Sequence, residues 1–142
     1  MASAALEIDL RLKRKSNIAL TNNNLAAYRL ALDQTELART HARGGLRAAR
    51  EAQIRPMIVI AAQHLALVAA LRGDHERAAR LAGYTDAAYK NSGNQREPTE
   101  QKSYDHLMAT IGKQLREEAI SALLDQGARW SEDEAIEEAL RV

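Results

Sequence analysis

The chain has no cysteine, no phenylalanine, only two prolines and only three valines among its 142 residues. Without cysteine there is no disulfide, no thiolate zinc site and no cysteine nucleophile, and the chain needs no oxidising compartment. Residues that favour strands are scarce, which argues against an all-β protein or a parallel-sheet enzyme. Alanine and leucine, both strong helix formers, are the two most frequent residue types. The composition therefore predicts an all-α protein.

Long apolar runs are also missing, since none approaches the length of a membrane-spanning helix, and the first residues lack a basic stretch followed by an apolar one. We therefore expect no membrane-spanning segment and no export signal, and we expect a cytoplasmic protein. At 15.7 kDa about two-thirds of the surface of the unfolded chain can be buried, which fits one domain over residues 1–142.

The net charge of +1 conceals a gradient along the chain. Residues 1–60 carry a net charge of +5 and residues 61–96 carry +2, whereas residues 97–142 carry −6. The basic first half is compatible with nucleic-acid binding, and Arg39, Arg43, Arg47 and Arg50 follow a helical spacing that predicts a stripe. The basic run Arg11-Leu12-Lys13-Arg14-Lys15 is short and has no aromatic residue within it, which disfavours nucleic acid as a partner of this segment.

Apolar periodicity predicts a series of short helices. Pro56 and Pro98 suit first helical turns, Asp74 suits an N-cap, and Ser131 with Glu134 forms a capping box. Gly44-Gly45 indicates a kink or a close helix contact, and Gly127 is a candidate C-cap. The predicted helices cover residues 5–13, 18–32, 35–52, 56–72, 75–91, 98–115 and 117–126, followed by one that begins after Ser131.

Comparison of the sequence with itself shows an internal repeat. Leu25-Ala26 falls on Leu65-Ala66, and Ala38 falls on Ala78. The pattern resembles the tetratricopeptide repeat, with Gly73-Asp74 as the turn between two helices and Ala78 at the small position where they cross. The first copy departs from that pattern, because it has Asp33-Gln34 where glycine is expected.

The run from Leu71 to Gly83 is similar to the last repeat of large bacterial signal-transducing ATPases, including LuxR-type transcriptional regulators. The resemblance implies antiparallel helix pairs stacked as a short right-handed solenoid with a C-terminal helical cap. It divides the single helical-repeat domain into a half repeat (5–13), repeat one (18–52), repeat two (56–92) and C-terminal capping helices (98–142). It also implies that the chain is the C-terminal part, or a relative, of such a regulator.

Motifs for chemistry are not found. No phosphate-binding loop, no HExxH pattern and no nucleophile elbow is present, and the paired carboxylates lie on polar faces or in first helix turns. We therefore expect no enzymatic activity, no cofactor and no metal site.

The repeat predicts a concave face that is lined by the first helix of each pair. Side-chain amides on that face suit an extended peptide, although the asparagines could instead form a turn, and His64 could be a hydrogen-bonded residue between helices. The predicted groove for a protein or peptide partner consists of Asn23, Asn24, Ala27, Gln63, His64 and Leu67.

The start of the array has no complete helix pair before residues 18–32. We therefore expect an apolar edge there, formed by Leu20, Leu25, Tyr28 and Leu32, through which two copies could form a homodimer. The predicted function is a non-catalytic protein–protein interaction or sensor module of tetratricopeptide type. A nucleic-acid-binding helical protein that uses the basic first half is the alternative.

Overall fold

A computed structural model describes the backbone of residues 2–142 and the side chains from residue 4 onward. Within these residues the chain forms helices and no strand, so the predicted all-α class is confirmed. The helices are α1 (Ala2–Ala31), α2 (Thr35–Ala52), α3 (Arg55–Leu71), α4 (His75–Ser92), α5 (Pro98–Gly112), α6 (Glu117–Ala128) and α7 (Glu132–Leu140).

Helix α1 is longer than the sequence pattern predicts. The expected break after residue 13 is wrong, because one helix runs without interruption through Ser16 and Asn17. Serine and asparagine are only slightly poorer helix formers than alanine, and packing against a neighbouring helix outweighs that difference. An ion pair of 2.7 Å between Lys15 and Glu51 ties this part of α1 to the last turn of α2.

The remaining helix boundaries agree closely with the predicted ones, and the caps explain why. Asp74 accepts a hydrogen bond from the Arg77 main-chain N–H, and Ser131 forms the predicted capping box with Glu134. A second capping box, between Glu97 and Glu100, was not predicted from the sequence. Gly127 does not cap α6, because it lies one residue before the end of the helix.

Helix α3 occupies the centre of the molecule. Its residues 61–70 are all buried, because α3 packs against α1, α2, α4, α5 and α7. Consecutive helices from α1 to α4 contact one another in chain order, and α6 packs mainly on α4. No helix within residues 2–142 is long and apolar enough to cross a membrane.

The turns that close α1 and α3 have the same main-chain hydrogen bonds at corresponding positions of the repeat. Asp33 and Gln34 donate to the carbonyls of Leu30 and Arg29, and Gly73 and Asp74 donate to those of Ala70 and Ala69. Both turns also place one residue at positive φ, 59° at Asp33 and 93° at Gly73. The turn that closes α2 has the same geometry, because Gln53 and Ile54 donate to Arg50 and Ala49 and Gln53 has a φ of 56°, so it is the common way in which these three helices end.

Helix α7 folds back across the first half of the chain. It packs on α2, α3 and α4, and Arg39 donates a 2.7 Å hydrogen bond to the main-chain oxygen of Val142. Arg55 and Arg77 form ion pairs with Glu132 and Glu138, at 3.1 and 3.2 Å. The gradient of charge along the sequence thus becomes a set of contacts between the acidic end and arginines of α2, α3 and α4.

Candidate binding surfaces

The structure does not form the predicted peptide groove. Gln63, His64 and Leu67 are buried, as is Asn23, whereas Asn24 is exposed and Ala27 is half-buried. The groove prediction is wrong because other helices cover this face of α3. The side-chain amide of Gln63 donates to the main-chain oxygen of Glu100 in α5, at 2.9 Å.

Two of the predicted groove residues form a polar contact region in the interior between α1 and α3. The Asn23 amide donates to the main-chain oxygen of Met57 at 3.2 Å, and His64 lies close to the Asn23 main chain. Burial lowers the pKa of His64 from 6.5 to about 4, and its interaction with Asn23 offsets this only in part. A Cβ atom on Gly45 would lie 2.7 Å from Asn23 Oδ1, so Gly45 provides the close helix contact that the sequence indicates.

A second polar cluster centres on Arg96, which the sequence alone places in a loop without a role. Its guanidinium donates to Gln63 at 2.6 Å and to Asp86 at 2.7 Å. It also stacks on the rings of Tyr89 and Tyr104, with its central carbon 4.5 and 3.8 Å from their centroids. The Arg96 side chain is only 11% exposed, so this cluster fixes the loop between α4 and α5 to the core.

The two tyrosines of this cluster are held in the protonated form. Burial raises the pKa of Tyr89, and the hydrogen bond that its hydroxyl donates to Glu100 raises it further. Burial likewise raises the pKa of Tyr104, whose hydroxyl donates to Asp86 at 2.8 Å. The positive charge of Arg96 lowers both pKa values but does not cancel these effects.

Three of the five aromatic side chains line one cleft of about 670 Å³. Tyr84 and Tyr89 come from α4, and Trp130 comes from the connection between α6 and α7. An ion pair between Arg55 and Glu132 also borders the cleft. A cleft of this size with aromatic walls offers apolar contact and ring stacking to a small ligand. Its apolar lining further includes Pro56, Val59, Ile60, Ala87 and Ala88.

The predicted apolar edge on α1 is exposed for the most part. Leu20, Tyr28 and Leu32 are 49%, 58% and 48% exposed, and Leu25 is half-buried. They belong to a larger set, because eight of the ten exposed large apolar side chains in the described structure lie on α1 or directly after it. These eight are Leu6, Ile8, Leu10, Leu12, Ile18, Leu20, Tyr28 and Leu32.

The stripe of arginines on α2 contacts the C-terminal segment. Arg43 donates a hydrogen bond to the main-chain oxygen of Leu140, next to the contact between Arg39 and Val142, and Arg50 lies 3.4 Å from Asp133. Three of the four arginines of the predicted stripe therefore contact the C-terminal segment, whereas Arg47 is exposed. Among residues 2–142, no group of three His, Asp or Glu side chains is placed to hold a metal ion.

Comparison with protein-family models, with curated proteins and with solved structures gives no match to this chain.

Proposed function

We propose that this chain is a non-catalytic protein–protein interaction or sensor module of tetratricopeptide type, related to the C-terminal part of bacterial transcriptional regulators. The internal sequence repeat, in which Leu25-Ala26 falls on Leu65-Ala66 and Ala38 falls on Ala78, supports the repeat assignment. The packing of α1 and α3 against each other, together with the contacts of each with its following helix, supports it further.

The observation that carries the interaction role is the concentration of exposed apolar side chains on α1. Isolated exposed leucines are common on proteins, but seven large apolar side chains on one helix and an eighth directly after it mark a surface that another chain covers. On the rest of the described surface, only Leu37 and Leu71 are large apolar side chains of similar exposure. The partner surface of the module is therefore α1.

Site-specific photo-crosslinking tests this role. A photoreactive phenylalanine analogue replaces Tyr28 on α1 in cells that express the chain, and a matched variant carries it at Glu118, an exposed residue of α6. We expect a crosslinked protein adduct from position 28 and none from position 118. The interaction role is wrong if position 28 yields no adduct, either with another protein or with a second copy.

The aromatic cleft favours the sensor version of the proposal. Trp130 is the single tryptophan of the chain and lines the cleft, so its fluorescence reports directly on anything that enters. We expect an apolar fluorescent dye such as anilinonaphthalene sulfonate to quench Trp130, and Ala88→Phe, which fills the cleft, to reduce dye binding. Unchanged Trp130 emission at saturating dye would exclude ligand binding in the cleft.

A further inference from the structure

The aromatic cleft contains a buried hydroxyl group that has no protein partner. Tyr84 lines the cleft and is only 7% exposed. The hydroxyls of Tyr89 and Tyr104 donate to carboxylates, whereas that of Tyr84 forms no hydrogen bond within the described part of the chain. Buried hydroxyl groups are normally hydrogen-bonded. The Tyr84 hydroxyl is therefore placed to bond a molecule that enters the cleft.

The ion pair between Arg55 and Glu132 lies near this hydroxyl. Burial raises the pKa of Tyr84, the charge of Glu132 raises it further, and the charge of Arg55 lowers it in part. The hydroxyl is not one of the unpartnered polar atoms that are sealed from solvent, so it can be reached from the cleft. As a protonated phenol it can both donate and accept a hydrogen bond.

Tyr89 lies further along the cleft, next to two other acidic residues. It follows Tyr84 by five positions on α4, which is about 7.5 Å along the helix axis. Burial raises the pKa of Tyr89, and the charges of Glu100 and Glu97 raise it further. Both glutamates line the cleft. The cleft thus has an unpartnered hydroxyl near one end and two carboxylates near the other.

The carboxylates of Glu97 and Glu100 have no basic partner. They accept hydrogen bonds from main-chain N–H groups in the capping box, and Glu100 also accepts one from the Tyr89 hydroxyl. Neither forms an ion pair within the described structure. The N-terminus of α5 contributes only about half a positive charge, so this end of the cleft remains negative.

Arg96 does not neutralise this charge. Its guanidinium stacks on the ring of Tyr89, but it forms an ion pair with Asp86 at 2.7 Å and does not line the cleft. Among the described residues that line the cleft, Arg55 is the one that is basic, and Glu132 pairs with it. The cleft therefore combines aromatic walls with uncompensated negative charge.

Deepening the proposed sensor role, on which this inference rests, we propose that the cleft binds an organic cation with a flat apolar body. The body packs on the rings of Tyr84, Tyr89 and Trp130, whose faces attract positive charge. The cationic group lies at the end with Glu97 and Glu100. A polar group at the opposite end of the ligand forms a hydrogen bond with the Tyr84 hydroxyl.

Three probes of matched shape test the charge preference. They are biphenylmethylamine, which is a cation at pH 7, the neutral biphenylmethanol and the anionic biphenylcarboxylate. Trp130 lines the cleft, so its emission follows the binding of each probe. We expect the amine to bind about tenfold more tightly than the alcohol, and the carboxylate to bind most weakly. The advantage of the amine should shrink at high salt, because salt screens charge.

Substitution of the two carboxylates tests where the cation lies. Glu97→Gln with Glu100→Gln keeps oxygen acceptors for the capping box, so the fold should be retained, which circular dichroism checks. In this variant the amine should bind no more tightly than the alcohol. The matched control is Glu117→Gln with Glu118→Gln, which makes the same change in the first turn of α6, outside the cleft, and should leave the preference unchanged.

The contribution of Tyr84 is tested with a hydroxylated amine. Tyr84→Phe removes the hydroxyl and keeps the ring. Biphenylmethylamine that carries a hydroxyl at its far end should bind about fivefold more weakly to this variant than to the wild type, because one hydrogen bond is lost. The amine without that hydroxyl should bind both chains equally. If both amines bind both chains alike, Tyr84 does not take part in the site.

Equal affinity for the amine and the alcohol, tighter binding of the carboxylate, or an unchanged preference in the Glu97 and Glu100 double variant would each overturn the cation proposal. Anilinonaphthalene sulfonate is an anion, so it should bind through its apolar area alone and more weakly than the amine. If that dye quenches Trp130 and Ala88→Phe blocks it, while the three probes show no preference for the cation, the ligand class is wrong and the sensor role stands.

Discussion

Asp33 and Gly73, which align when the sequence is compared with itself, occupy the same left-handed position in two turns with the same hydrogen bonds. Glycine adopts positive φ without steric cost, whereas a residue with a Cβ atom is strained there by about 1–2 kcal/mol, less for aspartate. The turn after α1 therefore keeps the geometry of the turn after α3 without its glycine. The departure that the sequence shows at Asp33 is a change of residue and not of structure.

Exchanging the two turn residues should change stability in opposite directions. Asp33→Gly relieves the left-handed strain and should raise the free energy of unfolding by about 0.5 kcal/mol, whereas Gly73→Asp should lower it by about 1 kcal/mol. Urea denaturation followed by circular dichroism measures both. Gly73 has no atom near the position of an added Cβ, so a loss there reports strain and not a clash. Equal effects in the two variants would contradict the shared turn geometry.

Substitution of Gly83 or Gly127 should separate α4 from α6. A Cβ on Gly83 would meet the main-chain oxygen of Leu124, and one on Gly127 would meet that of Arg80. Because main-chain atoms cannot rotate away, Gly83→Ala and Gly127→Ala should each cost about 3 kcal/mol or more. Gly112 has open space around it, so Gly112→Ala is the matched control and should be neutral or slightly stabilising. Thermal melts of the three variants test this contact.

Acid should destabilise the fold through His64. Its pKa is about 4 in the folded protein and 6.5 when exposed, so the unfolded state binds a proton first as the pH falls. The stabilising contribution is fully present above pH 6.5 and is lost progressively towards pH 4, by about 3 kcal/mol in total. Urea denaturation of the wild type and of His64→Leu between pH 7 and pH 4.5 measures it. A wild-type midpoint that falls no more steeply than that of the variant would contradict a buried neutral imidazole.

Loss of Arg96 should loosen the α4–α5 connection. Arg96→Ala leaves Gln63 Oε1 and Asp86 Oδ1 without a donor and should cost about 2–3 kcal/mol, whereas Arg141→Ala, which breaks an exposed ion pair, should cost under about 1 kcal/mol. Chemical denaturation at pH 7 compares the two. If both variants lose the same small amount, the cluster does not fix the loop.

Alkali should act on the same cluster through its tyrosines. The pKa values of Tyr89 and Tyr104 are raised in the folded state, so their contribution is fully present below pH 10, the ordinary value, and declines above it. Tyr89→Phe should make the loss of stability above pH 10 less steep, as measured by urea midpoints from pH 9 to pH 11. If the urea midpoints of Tyr89→Phe fall with pH as steeply as those of the wild type, the raised pKa of Tyr89 is contradicted.

The parts of this fold that depend on local signals could be predicted from the sequence. The caps at Asp74 and Ser131 and the first-turn positions of Pro56 and Pro98 set helix boundaries through groups a few residues apart, so they are readable from the chain alone. The exposure of Tyr28, at 58%, also agrees with the predicted apolar edge.

The errors lie where distant segments decide the outcome. Ser16 and Asn17 look like a helix end, yet contacts with α2 carry α1 through them. The faces of Gln63 and His64 look open in a repeat pattern, but α5 and α1 cover them. Nothing in the local sequence around Arg96 reveals the rings on which it stacks, since Tyr104 belongs to the next helix.

The return of α7 onto α2 gives the chain a long-range closure that a simple stack of repeats lacks. In such a stack each unit contacts only its neighbours and can fold from any point along the array. Here the hydrogen bond between Arg39 and Val142 joins residues that are 103 positions apart, so the packing of α2 depends on the segment that follows α7. Synthesis adds about 5–20 residues per second, so α7 is made several seconds after α2. Until then, the arginines of α2 have no α7 to contact. During this interval Arg39 and Arg43 lack the contacts that they make with the segment after α7 begins in the folded protein.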